Sequence, residues 1–507
     1  MKKIFSLFIL TLSLTLVGCN NVESLASSSY SSSTTSSESY DDELLVYECK
    51  EELIEDATKY PYTLNNAYNA TMEYNYKDLS RHYYYNVDYM PTRGDVNVLV
   101  IPVKFANYTK YSRQIHRQKI YDAFFGSSEE TGWESVSSYY YKDSYGSLRM
   151  SGVVTEFYEA EYESSLNFRG TMDILTDAVE WYKERYNDDG KKFDSDGDGF
   201  IDAVALIYNA PAHYENNGNL WAYTYWAQDR PNISSPVANA FFWGSVSFLY
   251  SDQNISIDSH TYIHEFGHIM GLEDYYNYNS NYGSYAGGFS MQDFNVGDHD
   301  PFSKLILGWA RPIVVKDTTT IELSPTTTSG QMIVLKPDNY DMVSPFDEYL
   351  IIEFYTPLYL NQQDTTYAYS YGYPTGSKES GIRLWHVDAR LLKNYYDTGI
   401  LDFTNTIEDG NRYIVCSSNT TGQAVDLDCS EFRLNKLLRK GKETSFELGE
   451  YFSTKDLFVE GDTFTMEDYK ESFTNEGLLN SGESLGFSFS VDSIIKNQKA
   501  VISIVKE

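Results

Sequence analysis

The sequence predicts an α/β domain over residues 93–312, followed by a β-rich, sandwich-like region over residues 313–507. Three observations carry this prediction. The run Gly94-Asp95-Val96-Asn97-Val98-Leu99-Val100-Ile101-Pro102-Val103-Lys104-Phe105 is rich in β-branched residues and reads as a buried strand. His264 and His268 are spaced i, i+4 in a stretch where Tyr262, Ile263, Phe266, Ile269 and Met270 mark a packed helix face. Beyond Pro312 the chain changes texture, to short alternating segments that favour strands.

Taken from the start, Met1-Lys2-Lys3 is a basic opening to an apolar run, Ile4 to Val17, too short to span a bilayer stably. It ends Leu16-Val17-Gly18-Cys19, so residues 1–18 read as an export signal. With Cys19 directly after the small residue, the segment resembles a bacterial lipoprotein signal. That likeness implies a lipid on Cys19 and a protein held at the outer face of a bacterial membrane. Residues 19–44 are dominated by Ser and Thr and read as a flexible spacer. Residues 45–92 are acidic and tyrosine-rich without clear periodicity; a propeptide-like or a packing extension both fit.

The charge balance narrows the partners. With 73 acidic and 39 basic residues, net −34, the chain lacks the basic footprint that nucleic-acid binding needs. It would be repelled by an anionic envelope, so a covalent tether makes sense. Excess carboxylate suits calcium.

Within the α/β domain, Ile115 to Phe125 reads as a helix, and Ser135 to Leu148 as a helix ending near Gly146 before a strand. Met172, Leu175, Val179 and Tyr182 recur at helical spacing. Then comes Asp194-Ser195-Asp196-Gly197-Asp198-Gly199-Phe200-Ile201-Asp202. Asp194, Asp196, Asp198 and Asp202 occupy loop positions 1, 3, 5 and 9, with Gly199 at 6, a spacing that matches a calcium loop. Position 12 is Ala205 instead of a bidentate Glu, and Ala203 to Tyr208 looks like a strand, so this is not a full EF-hand.

The segment His264-Glu265-Phe266-Gly267-His268 places two imidazoles on one helix face, where both can point at one metal ion. Glu265, beside the first, is placed to act as a base toward water. Gly271 can stop the helix with a left-handed turn and bring Asp274 back as a third ligand. Asp293 is the rival for that third place. Further on, a short helix is expected over Phe302 to Leu307. Strands are expected over Thr318–Leu323, Met332–Leu335, Tyr349–Phe354, Ile382–Val387, Phe487–Val491 and Ala500–Val505.

These residues resemble the immune-inhibitor-A type of secreted bacterial metallopeptidases, of the metzincin kind. The carriers are Asp194 to Asp202, His264 to Asp274 with Tyr275-Tyr276, Gly287-Gly288-Phe289-Ser290-Met291, and Ser303-Lys304-Leu305-Ile306-Leu307-Gly308-Trp309. Glu348 to Glu353 and Gly381 to Asp388 look like its recurring β segments. The resemblance implies an α/β metzincin-like catalytic domain and a zinc endopeptidase acting on extracellular proteins or peptides. His264, His268 and Asp274 would hold zinc, Glu265 would be the general base, and Met291 would form the floor under the metal. Metzincins usually carry His as third ligand; Asp274 agrees with the immune-inhibitor branch. The substrate-binding tyrosine expected after the methionine turn is not evident, since Gln292 and Asp293 follow.

The competing reading is a non-catalytic surface binding lipoprotein that keeps a metallopeptidase-like domain; an intact Glu265 speaks against it. Of the four cysteines, Cys416 and Cys429 are close enough to bridge. Cys49 is left as either a latency thiolate over the metal or an incidental thiol. His260 is open between supporting His264 and starting the helix; His299 and His386 read as structural.

Overall fold

The structure is a computed structural model. It describes residues 43–54, 65–69, 74–83, 87–212, 220–227, 230–252, 255–339, 344–369, 372–408, 410–421, 431–441 and 445–507. The expected signal, Cys19 and the spacer up to residue 42 lie outside these. Asp42–Glu507 forms one unit. No helix among the described residues is long and apolar enough to cross a membrane.

The 45–92 stretch contributes β1 (Leu45–Tyr47), β2 (Ala67–Asn69) and α1 (Tyr76–Tyr83). Next come β3 (Gly94–Lys104), α2 (Gln114–Phe125), α3 (Val136–Asp143), β4 (Leu148–Val154) and α4 (Phe168–Tyr186). After them lie β5 (Val204–Tyr208), β6 (Tyr223–Trp226), β7 (Ala240–Ser245), α5 (His260–Ile269), α6 (Met291–Phe294) and α7 (Pro301–Ile306). Local chemistry sets several of these limits. Ser135 and Asn167 accept from backbone N–H groups in the first turns of α3 and α4, and Asp300 with Pro301 starts α7.

The first sheet has seven strands, with a main path β1–β4–β3–β5–β7–β6. Its centre is parallel, and antiparallel β1 and β6 close the two ends of that path. Strand β3 is buried on both faces, as its unbroken apolar run predicts. Val96, Val98 and Val100 share a core with Phe124, Tyr140 and Phe266 of α2, α3 and α5. Leu99, Ile101 and Val103 share another with Leu175, Val179 and Tyr182 of α4.

The β-rich region follows. It comprises β8 (Ile313–Val315), β9 (Thr319–Leu323), β10 (Ile333–Leu335), β11 (Glu348–Tyr355), β12 (Gly381–Asp388) and β13 (Asn435–Leu438). Then come β14 (Thr463–Phe464), β15 (Phe487–Ile495) and β16 (Lys499–Lys506). They form a six-stranded sheet, β13–β12–β11–β10–β8–β2, and a four-stranded one, β9–β16–β15–β14. Ile333, Ile352 and Leu384 of the larger sheet meet Phe489 and Ile502 of the smaller in one apolar core. The opposite face of the larger sheet, with Ile351, Trp385 and Val387, packs into the core of the first region. Each fully buried Ile or Phe in such a layer contributes roughly 1.5–3 kcal/mol. The two regions are therefore joined by a sheet that is apolar on both sides, and the sequence boundary at 312 is not a gap in packing.

The Ser303–Trp309 segment acts as a buried fastener. Ser303 donates to Asp300, and Lys304 is wholly buried, with Nζ against Asp143 and 2.8 Å from Asp298 Oδ1. Trp309 Nε1 donates to Thr92 O at 2.7 Å. His299 touches Asp143 through Nδ1 and Gln292 Oε1 through Nε2. His386 Nε2 lies 2.8 Å from Glu348 Oε1 inside the larger sheet. Both histidines are structural, as expected. Cys49 is buried beside β4, its N–H donating to Ser151 Oγ, and is not among the residues lining the cleft described below. That placement does not fit a thiolate over the metal. Cys416 is buried and disulfide-bonded; Cys429 lies outside the described residues.

Candidate metal centre

Helix α5 brings His264 and His268 onto one face, one turn apart. It ends as its sequence demands. Gly271 N donates to His268 O (2.9 Å) and Leu272 N to Gly267 O (3.0 Å), the paired bonds of a glycine-terminated helix. Gly271 has φ +102, and an added Cβ there would sit 2.5 Å from Tyr76 Cβ, so the turn needs glycine twice over. The chain then reverses and delivers Asp274.

His264 Nε2, His268 Nε2 and Asp274 Oδ1 form a triangle. The two nitrogens are 3.1 Å apart, and Asp274 Oδ1 is 2.9 Å from the first and 3.2 Å from the second. The other ring nitrogens fix the tautomers. His264 Nδ1 lies 2.8 Å from Met291 O, and His268 Nδ1 lies 2.6 Å from Leu272 O. A carbonyl only accepts, so each Nδ1 carries a proton, and in the neutral ring that a metal requires each Nε2 presents a lone pair. Two lone pairs and a carboxylate oxygen thus converge. A proton at the centre would serve one pair; a divalent cation serves all three. Tetrahedral zinc with ligand bonds of about 2.0–2.1 Å places its ligands about 3.3–3.4 Å apart, a few tenths of an ångström wider than this triangle. The donor set fits zinc.

Around the triangle, Tyr278 donates its hydroxyl to Asp274 Oδ2, and the Tyr276 ring stacks near His264, 24° from parallel with centroids 6.4 Å apart. Glu265 is buried, and its Oε2 lies 3.1 Å from the Thr224 hydroxyl on β6. Burial raises the Glu265 carboxyl above its ordinary value, and the two histidines pull it back. All of these groups line one cleft of about 880 Å³. Met291 is fully buried, and its visible tie to the centre is its carbonyl, which orients His264. Gly267 allows this approach: a Cβ there would be 2.2 Å from Gln292 Oε1.

His260 stands apart from the centre. It stacks on Trp133 (4.0 Å, 9°) and lies between Asp258 Oδ1 (2.8 Å) and Asp364 Oδ2 (3.4 Å). It is a buried ion-pair histidine at the start of α5. Asp293 is outside the triangle, which brings together His264, His268 and Asp274.

At the acidic loop, Asp194, Asp196 and Asp202 come together, each with an oxygen within 4.8 Å of the others. Asp194 accepts from Asp198 N and Gly199 N (3.0 Å each), which folds the loop around it. Asp198 turns elsewhere, toward Lys77. The Lys77 ammonium is 2.8 Å from Asp196 Oδ2, 3.1 Å from Asp88 Oδ2 and 3.7 Å from Asp198 Oδ2, and donates to Tyr89 O. Burial pushes the Asp202 carboxyl up to about 7. The site is a three-carboxylate cage that shares Asp196 with an internal cation.

Sequence reasoning found the triangle and the glutamate. It missed Thr224, Tyr278 and Lys77, for which no local spacing gives a signal. No protein family matches this chain, and no curated protein matches it either.

Proposed function

We propose that this protein is a zinc-dependent endopeptidase of the metzincin kind, related to the immune-inhibitor-A type, acting on extracellular proteins or peptides. The observation that carries the reading is the convergence of two tautomer-fixed Nε2 lone pairs and Asp274 Oδ1 beside buried Glu265. The mixed sheet with helices on both faces is compatible with a metzincin-like catalytic domain.

Zinc, when bound, would polarise a peptide carbonyl and make a water molecule acidic enough to lose its proton near neutral pH. Glu265 accepts that proton and hands it to the leaving amine. The Thr224 hydroxyl holds Oε2 of Glu265 in place. Met291 and Leu272 carbonyls keep both imidazoles in the ligating tautomer, and Tyr278 keeps Asp274 turned toward them.

Selective metal removal tests this. A zinc-selective chelator is expected to abolish hydrolysis of an unfolded protein substrate, and added zinc to restore it. A calcium-selective chelator is expected to lower the melting temperature while zinc remains bound, because calcium on Asp194, Asp196 and Asp202 stabilises the folded state by mass action. Hydrolysis that survives removal of all zinc sinks the first claim; melting that ignores calcium sinks the second.

We further propose that the protein is exported and held at a bacterial membrane by lipid on Cys19, within the segment outside the described residues. Metabolic labelling with a fatty-acid analogue should mark the wild type and leave Cys19→Ala unlabelled and shed into the medium; an unlabelled wild type contradicts the anchor.

A further inference from the structure

The lining of the cleft includes a carboxylate that neither the metal triangle nor the proton transfer uses. Asp293 lies on α6, two residues beyond Met291, and is 1% exposed. Its Oδ2 is fully engaged, accepting from the Ser284 hydroxyl and from Gly288 N. Its Oδ1 is buried and has no hydrogen-bond partner among the described residues. Buried polar atoms are nearly always paired, so this oxygen is open to a donor.

The surroundings say what would pair with it. Phe294 and Tyr451 meet edge to face at 5.2 Å, and Tyr276 meets Phe294 at 6.3 Å. Gly288 makes room for this wall: a Cβ on it would fall 2.4 Å from the Tyr451 ring. Glu265, Glu273, Asp274 and Asp293 line the same cleft, and no Lys or Arg does among the described residues. A cleft with a buried, unpartnered acceptor in its lining, aromatic faces beside it and no lysine or arginine around it suits a cation on an apolar stem. An acidic side chain would be repelled. A neutral apolar one would fill the walls and leave Oδ1 vacant.

We propose that Asp293 Oδ1 receives the lysine or arginine side chain of a peptide substrate at one position flanking the scissile bond. Asp293 is a specificity residue, not a catalytic one. The inference rests on the endopeptidase reading for the word substrate, but not for the cation site itself. Tyr276 spans the two, since it lies beside both His264 and Phe294.

The experiment has a binding arm and a cleavage arm. In the first, zinc-loaded Glu265→Gln protein is titrated calorimetrically with a short blocked peptide carrying one lysine, and with its norleucine counterpart. The lysine peptide is expected to bind about tenfold tighter, in line with a charge-assisted hydrogen bond. Asp293→Asn, which turns the vacant acceptor into a donor, is expected to erase the difference at unchanged zinc content and melting temperature. Equal binding of the two peptides overturns the proposal without any variant, so a misfolded Asp293→Asn does not leave it open. In the second arm, wild-type protein cuts a mixed peptide library, with lysine and arginine expected to be enriched at one flanking position. Vigorous cleavage with no basic preference overturns the cation site and leaves the endopeptidase reading standing. Lysine-selective binding with no cleavage does the reverse.

Discussion

Glu265→Gln is expected to retain a full equivalent of zinc and to lose about 10²–10⁴-fold in peptide hydrolysis. The two halves of this result come from different atoms. Zinc retention follows because the ligand triangle is built from His264, His268 and Asp274. Glutamine keeps the length and shape of glutamate, and Thr224 can still hydrogen-bond its carbonyl oxygen. The loss follows because an amide cannot accept the proton. Metal analysis and a fluorogenic peptide assay on the same preparation check both halves. Near-wild-type turnover would remove Glu265 from the mechanism, and loss of zinc would make it a ligand.

Asp274→Ala is expected to strip the centre of zinc during dialysis against a weak chelator. The variant deletes one of three ligands and leaves two Nε2 lone pairs 3.1 Å apart without the carboxylate oxygen that completes the set. The affinity loss should exceed the roughly 10–100-fold typical of removing an outer hydrogen-bond partner, which is the effect expected for Tyr278→Phe. Asp274→His should recover part of the binding, because an imidazole can supply the third nitrogen. Asp293→Asn should keep zinc, since Asp293 lies outside the triangle. Full zinc in Asp274→Ala, with loss in Asp293→Asn, would relocate the third ligand and undo the metzincin reading.

How much could be read from the chain depended on range. The ligand spacing of His264, Glu265 and His268 is a property of one helix, and the Gly271 turn that returns Asp274 is a property of the next few residues. Both were legible, as were β3, the α2 helix, and the strands β11, β12, β15 and β16, though β11 and β12 are buried on both faces where alternation was expected. The supports of the site were not. Thr224 reaches Glu265 across 41 residues and Met291 reaches His264 across 27, and nothing in either local sequence marks the meeting. Asp198 was read as a fourth calcium ligand from its place in the loop. The structure turns it toward Lys77, a cation supplied by a helix whose sequence carries no metal motif. His260 was open between two roles because its partners, Asp258 and Asp364, lie on different elements. The role of 45–92 was open for the same reason: β1 and β2 each find their partner strands in other regions of the chain.

That placement has a consequence for how the chain is made. Asn69 pairs with Ile313, so β2 leaves the ribosome long before the strand it completes. Leu45 to Tyr47 likewise waits for β4. Contacts between such distant segments must pay for closing large loops, and folds rich in them form slowly. A chain that cannot finish either sheet early stays open until its later strands are made. Once folded, it is held from both ends. Stretches near its start are clasped into the first sheet and into the larger C-terminal sheet, so local fraying at the N-terminal side would have to break two sheets to spread.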